Sequence, residues 1–211
     1  MNNERSLAQK LKEIVEQEAF ENLDDFSNPQ EWNVLKNDER FLLGKLFIQK
    51  GEEELKKGQS TFQDSFALAE KAAPSNATIF CLKGKAFLTQ EENARCLAAA
   101  IEAFEFALAL DPHYFDAYRL CGEAFIFNGL LHENHTYFQN AQQKFQQALA
   151  YLDDQADAIK AHYFWKWGLS CFLIGMVSEE PFDIHQAIQK YSSAKEFGLK
   201  NPDFFQDFAE A

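Results

Sequence analysis

The sequence predicts an all-α protein, a solenoid of antiparallel helix pairs, on three observations. Apolar residues recur with helical period along most of the 211 residues, and no segment alternates with period two between hairpin signals. Glycine is followed three residues later by an aromatic at Gly44/Phe47, Gly84/Phe87 and Gly122/Phe125, and Gly168 continues the series with Cys171 in the ring's place. An alanine, a ring and an alanine then recur as Ala100-Phe104-Ala107, Ala141-Phe145-Ala148 and Ala187-Tyr191-Ala194. Small residues let two helices approach closely, and rings fill the space beside them. Such a pair leaves an apolar face open and has to stack on its neighbours.

The elements follow in order. Leu7, Leu11, Ile14, Val15, Leu23 and Phe26 lie at helical spacing opposite a Glu- and Lys-rich face, which predicts an amphipathic helix over about 5–26. Ser27-Asn28-Pro29 ends it. Residues 1–36 are thus expected to form a capping helix and linker. Residues 37–211 form the repeat domain, with units at about 37–76, 77–114, 115–160 and 161–204 and a partial unit at 205–211. The first unit has Phe62-Phe66-Ala69, a larger residue in place of the leading alanine. Pro74 and Pro112 mark helix ends.

Taken together, the run Phe80, Gly84, Phe87, Ala100, Phe104, Ala107 and Pro112 resembles the tetratricopeptide pattern W-x-x-L-G-x-x-Y…A-x-x-x-F…P. Tyr118, Gly122 and Phe125 with Ala141, Phe145 and Ala148 match again, as do Phe164, Trp167 and Gly168. The first unit departs from it, with Arg40 at the large-aromatic position. The resemblance implies a right-handed superhelical solenoid. It also implies a concave groove lined by the first helix of each pair, at Phe41, Lys45, Cys81, Lys85, Arg119, Glu123, Trp165 and Leu169. The alternative for Trp165, and for Phe127 and Phe172 nearby, is packing against the helices themselves.

The repeats are longer than the family's. Successive glycine anchors at 44, 84, 122 and 168 are 40, 38 and 46 residues apart, against about 34 in a standard repeat. The excess between the two motif blocks is about one or two helical turns. Longer helices with short turns near Glu91-Glu92-Asn93, His132-Glu133-Asn134 and Ser178 to Pro181 are expected; inserted structured loops are the alternative. After Asn201-Pro202, residues 203–209 resemble the opening of another first helix, either a cap or the start of a longer array.

Composition narrows the function. A formal charge of −13 and a pI near 4.8 repel nucleic acid and anionic membranes. The charge serves solubility or the attraction of a basic partner. No apolar run follows basic residues at the N-terminus, and none approaches membrane-spanning length, so a cytoplasmic location is expected. Cys81, Cys96, Cys121 and Cys171 lie far apart without C-x-x-C spacing and suit buried positions in a reducing compartment. His132 and His135 fall in a predicted turn without further ligands, and His162 and His185 lie on different helices. Glu52-Glu53-Glu54 and Glu179-Glu180 suit solvated faces, and no phosphate loop, nucleophile elbow or zinc helix motif occurs.

No enzyme activity, cofactor or metal is therefore expected. The expected function is a scaffold that binds a partner polypeptide in the groove through apolar anchors. Small size and acidity also resemble tetratricopeptide translocator chaperones of type III secretion. A third reading is a regulatory or targeting domain of a longer protein.

Overall fold

The computed structural model describes residues 6–17, 20–152, 157–178 and 181–200. Among the described residues every regular element is a helix. The chain divides into two compact units, residues 1–86 and 87–211.

In the first unit, α1 (Leu7–Gln17) is followed by two 3-10 segments, Phe20–Phe26 and Pro29–Val34. The region expected as one helix over 5–26 is thus in two pieces. In a 3-10 helix residues three apart eclipse one another, so Leu23 and Phe26 both point inward, and both are buried. The second segment is more than a linker. Asn28 caps it by accepting from the Gln30 amide, and Trp32 inserts into the core, donating its indole N–H to the Phe26 carbonyl at 3.1 Å. Its ring meets Phe47, 6.0 Å between centroids.

The long helix α2 (Asn37–Lys56) then pairs with α3 (Phe62–Ala72), and α4 (Ala77–Leu88) carries the boundary between the units. Arg40, which replaces the family's aromatic, donates from Nε to the Ala72 carbonyl and from Nη2 to the Lys71 carbonyl, each at 3.0 Å. A cation there satisfies the open carbonyls at the end of α3, so a ring's packing is replaced by a cap.

The second unit holds α5 (Ala94–Leu110), α6 (Phe115–His132), α7 (His135–Tyr151), α8 (Asp157–Ser178) and α9 (Pro181–Glu196). Neighbours in sequence pack together, and α6 also touches α8. Asparagines start several helices: Asn76 accepts from Thr78 N, Asn93 from Arg95 and Cys96 N, and Asn134 from Thr136 N. Each such cap contributes about 1 kcal/mol.

The extra residues of the repeats lie in helices. α2 has 20 residues, α6 has 18, α7 has 17 and α8 has 22. The second pair differs: α4 has only 12 residues, and α5 has 17. The turn at 133–134 is short, with Glu133 in the left-handed region. The turn at Ser178 to Pro181 includes residues 179–180, and the expected helix at 203–209 lies beyond 200; both fall outside the described residues.

A second small-residue contact accompanies the added turns. A Cβ on Gly122 would lie 2.4 Å from the Phe145 ring, and one on Gly129 would lie 2.5 Å from the Phe138 ring. Seven residues forward on α6 match seven back on α7, as an antiparallel pair two turns apart requires. Gly168 against Tyr191 and Gly175 against Ile184 repeat the arrangement between α8 and α9, each at 2.5 Å. In the first unit Gly51 faces Phe66 in the same way. Each lengthened first helix thus carries a pair of glycines, at 44 and 51, 122 and 129, and 168 and 175.

Candidate functional site

The first helix of each pair is expected to line a binding face. In the second unit α6 and α8 are those helices, and a hydrogen bond joins them at their N-terminal ends. The Tyr163 hydroxyl donates to the Phe115 carbonyl, while the Tyr163 ring sits edge-on to Phe145, 6.2 Å between centroids. With α8 fixed there, its next turn faces the first turns of α6.

Four polar side chains meet in that space. Arg119 Nη1 donates to both oxygens of Glu123, at 3.2 and 3.0 Å, an i,i+4 pair along α6. From α8, His162 Nε2 lies 3.8 Å and Lys166 Nζ 3.9 Å from Glu123 Oε1. Both distances exceed hydrogen-bonding range. His162 Nε2 is buried without a hydrogen-bond partner. Lys166 also stands 4.2 Å from the Trp165 ring centroid, and His162 is edge-on to that ring at 5.2 Å. Arg119 Nη2 makes a longer contact, 3.7 Å, with Asp116 at the start of α6.

Burial alone would raise the pKa of Glu123, but His162, Arg119 and Lys166 outweigh it and hold the pKa below its ordinary value. Glu123 is therefore ionised at neutral pH. A depressed folded-state value means that its contribution to stability is complete above the unfolded value and is lost as pH falls through the folded one. Glu123→Gln should lower stability by about 1–2 kcal/mol at pH 7. The difference from the native chain should shrink as pH drops below the ordinary carboxylate range, read from urea unfolding curves at successive pH values. A difference independent of pH would contradict an ionised Glu123 at this position.

Beside the cluster, a cleft of about 530 Å³ opens between the N-terminal ends of α6 and α8. Tyr114, Phe115, Ile159 and Tyr163 line it, with Arg119 and His162 at its polar side.

The sequence-derived groove residues divide between the units. In the first, Lys45 is exposed with its ammonium 5.7 Å from the Phe41 ring centroid, and Phe41 also lines a cleft of about 390 Å³ with Asn37 and Arg40. Lys85 is half-buried on α4, whereas Cys81 is fully buried. In the second unit Arg119 and Glu123 meet as described, and Leu169 is half-buried. Trp165 is only 5% exposed and clusters with Cys171, Ala187, Tyr191 and Ala194. Cys81 and Trp165 are thus core residues. The position after the large aromatic is covered on α4 and α8, whereas Phe41 on α2 and Arg119 on α6, at the same position, are half-buried. His162 and Lys166 were missed as partners for Arg119 and Glu123. Their signal is an i,i+4 polar pair on the next first helix, one repeat on.

Among the described residues no group of three or more His, Cys, Asp or Glu could hold a metal ion. His132 ends α6 with its ring 5.9 Å from that of Tyr137, and His135 begins α7. Burial pushes the thiols of Cys121 and Cys171 up to about 12, so both are protonated and unreactive at neutral pH. No helix among the described residues is long and apolar enough to cross a membrane.

No protein-family model matches the sequence, and no curated protein matches it. Among solved structures, a crystal structure of MamA is similar to this chain with a TM-score of 0.51 and 17% identity, over 91% of this chain and 98% of that one. A crystal structure of MamA protein gives a TM-score of 0.49 and 18% identity, over 90% of this chain and 93% of that one. At 17% identity the first likeness bears on architecture alone, and the architecture is a tetratricopeptide-like set of helix pairs.

Proposed function

We propose that the chain is a protein-binding module of a divergent tetratricopeptide type, not an enzyme, and that the α6–α8 face of its second unit holds a partner polypeptide. One observation carries this reading. Two i,i+4 polar pairs, Arg119/Glu123 and His162/Lys166, converge from the first helices of consecutive pairs beside an apolar cleft. Polar groups at set positions next to apolar surface are what a groove needs to orient a peptide while an apolar anchor supplies affinity. The charge of −13 supports a protein partner over nucleic acid or an anionic membrane. Four free, buried cysteines suit a reducing, cytoplasmic setting.

The test compares polypeptides retained by the immobilised native chain with those retained by Arg119→Gln/Lys166→Gln, quantified by mass spectrometry. Thermal melting first establishes that the variant is folded. At least one polypeptide should be held by the native chain and depleted about tenfold or more by the variant. Equal retention by both would remove the α6–α8 face from the account. Because Lys166 lies against Trp165, binding of that polypeptide should also shift the tryptophan emission.

A further inference from the structure

We infer that the cleft at the N-terminal ends of α6 and α8 is an anchor pocket for a bulky apolar side chain of a partner segment whose flanking residues are basic. The inference rests on the binding function proposed above and adds the chemistry of the partner.

The pocket lies within the range of about 300–1,000 Å³ at which cavities bury most of a ligand, at about 530 Å³. Its walls are aromatic and aliphatic: Tyr114 and Phe115 from the approach to α6, and Ile159 and Tyr163 from α8. Ile159 is 46% exposed at this site, so an entering apolar group would remove accessible hydrocarbon from water. Tyr163 is held by its hydrogen bond to Phe115, which keeps one wall in place before anything binds.

The charge around the pocket selects the flanks. Residues 87–211 carry 8 Lys and Arg against 18 Asp and Glu. Arg119 offsets this only in part, because its guanidinium is shared between both Glu123 oxygens and, at 3.7 Å, the Asp116 carboxylate. The carboxylate of Asp116, which lines the cleft, has a side chain 59% exposed. Asp157, the first residue of α8, is also exposed next to the lining residue Ala158. A segment with Lys or Arg on either side of its apolar residue meets these acids, while an acidic segment is repelled by the surface as a whole.

The experiment selects binders to the full chain from a phage-displayed library of random 12-residue peptides, then measures individual synthetic peptides by fluorescence anisotropy. The expected consensus is one or two of Phe, Leu, Ile, Met or Trp flanked by Lys or Arg. Replacing the apolar residue by alanine should weaken binding about 10- to 100-fold. Ala158→Trp, at an exposed lining position, should fill the pocket and weaken binding about tenfold or more. Asp116→Lys should weaken it about threefold or more, with the effect reduced at 0.5 M salt. Thermal melting checks that both variants are folded, and the two act independently, so loss of one variant to misfolding leaves the other decisive.

Peptides that bind Ala158→Trp and Asp116→Lys as tightly as the native chain, yet fail on Arg119→Gln/Lys166→Gln, would overturn the pocket and leave the binding face intact. An acidic consensus would overturn the charge assignment. A library that yields no binder would overturn the binding function and the pocket with it.

Discussion

Phe145→Ala should destabilise the second unit by about 3–5 kcal/mol, the range for removing a fully buried phenylalanine. Phe145 has no accessible surface. Its ring, at Cε1 and Cζ, fills the notch left by Gly122, and its neighbour is the Tyr163 ring. The surrounding helices are pinned by other contacts of the same kind, so the void cannot close fully and the cavity term adds to the lost transfer energy. The effect extends to the candidate site. Tyr163 loses a packing partner while its hydroxyl still reaches Phe115, so the α8 wall of the cleft loosens. Urea unfolding followed through Trp165 and Trp167, both in this unit, checks the value. A loss below about 1 kcal/mol would mean that Phe145 is not the keystone of the α6–α7 pair.

Gly122→Val should cost about 2–3 kcal/mol, and Gly122→Ala a smaller loss of the same sign. Helix propensity alone predicts the reverse for alanine, a gain approaching 1 kcal/mol in mid-helix. Geometry decides against propensity, because a Cβ at residue 122 would lie 2.4 Å from Phe145 Cε1 and Cζ, inside any real contact distance. The ring is fully buried, with Gly122 of α6 on one side and Tyr163 of α8 beside it, which leaves it little room to swing clear. The clash is specific to that ring, so combining Gly122→Val with Phe145→Ala should give less destabilisation than the sum of the two single changes. A coupling of about 1–3 kcal/mol between the sites is the expected result of the double-mutant cycle. Additive losses would show that glycine is retained at 122 for some reason other than ring packing.

These two residues also show what was legible in the sequence. The Gly-x-x-aromatic and Ala-x-x-x-aromatic blocks encode contacts within one helix pair, and such contacts leave a fixed spacing in the chain. Helix identity and the short turn at Glu133-Asn134 follow from that spacing. The second set of glycines, Gly51, Gly129 and Gly175, was equally visible, one heptad after the first. The family's shorter repeat has no place for them, so the family pattern does not mark them.

Other features left weaker traces. The core position of Trp32 depends on a 3-10 turn that has no periodic signature long enough to detect. Arg40 looks like a defect in the repeat until the carbonyls of Lys71 and Ala72 are seen to receive it. Of the positions that family analogy assigns to a groove, Arg119 and Glu123 meet on α6, whereas Cys81 and Trp165 are buried in the core. Analogy transfers the direction a side chain points, whereas burial depends on what the neighbouring helices place over it. The contact between Glu123 and His162 joins residues far apart in sequence, through two helices whose relative placement no local pattern specifies.

The proposed function puts polypeptide partners on the first-helix face of the second unit. Hydrogen exchange measured by mass spectrometry, with the full chain free and saturated by a selected 12-residue peptide, tests it directly. Protection should appear in peptides covering the first half of α6, about 113–126, and the first half of α8, about 157–169, with α7 and α9 unchanged. Protection confined to α7 and α9, with α6 and α8 unaffected, would contradict the account.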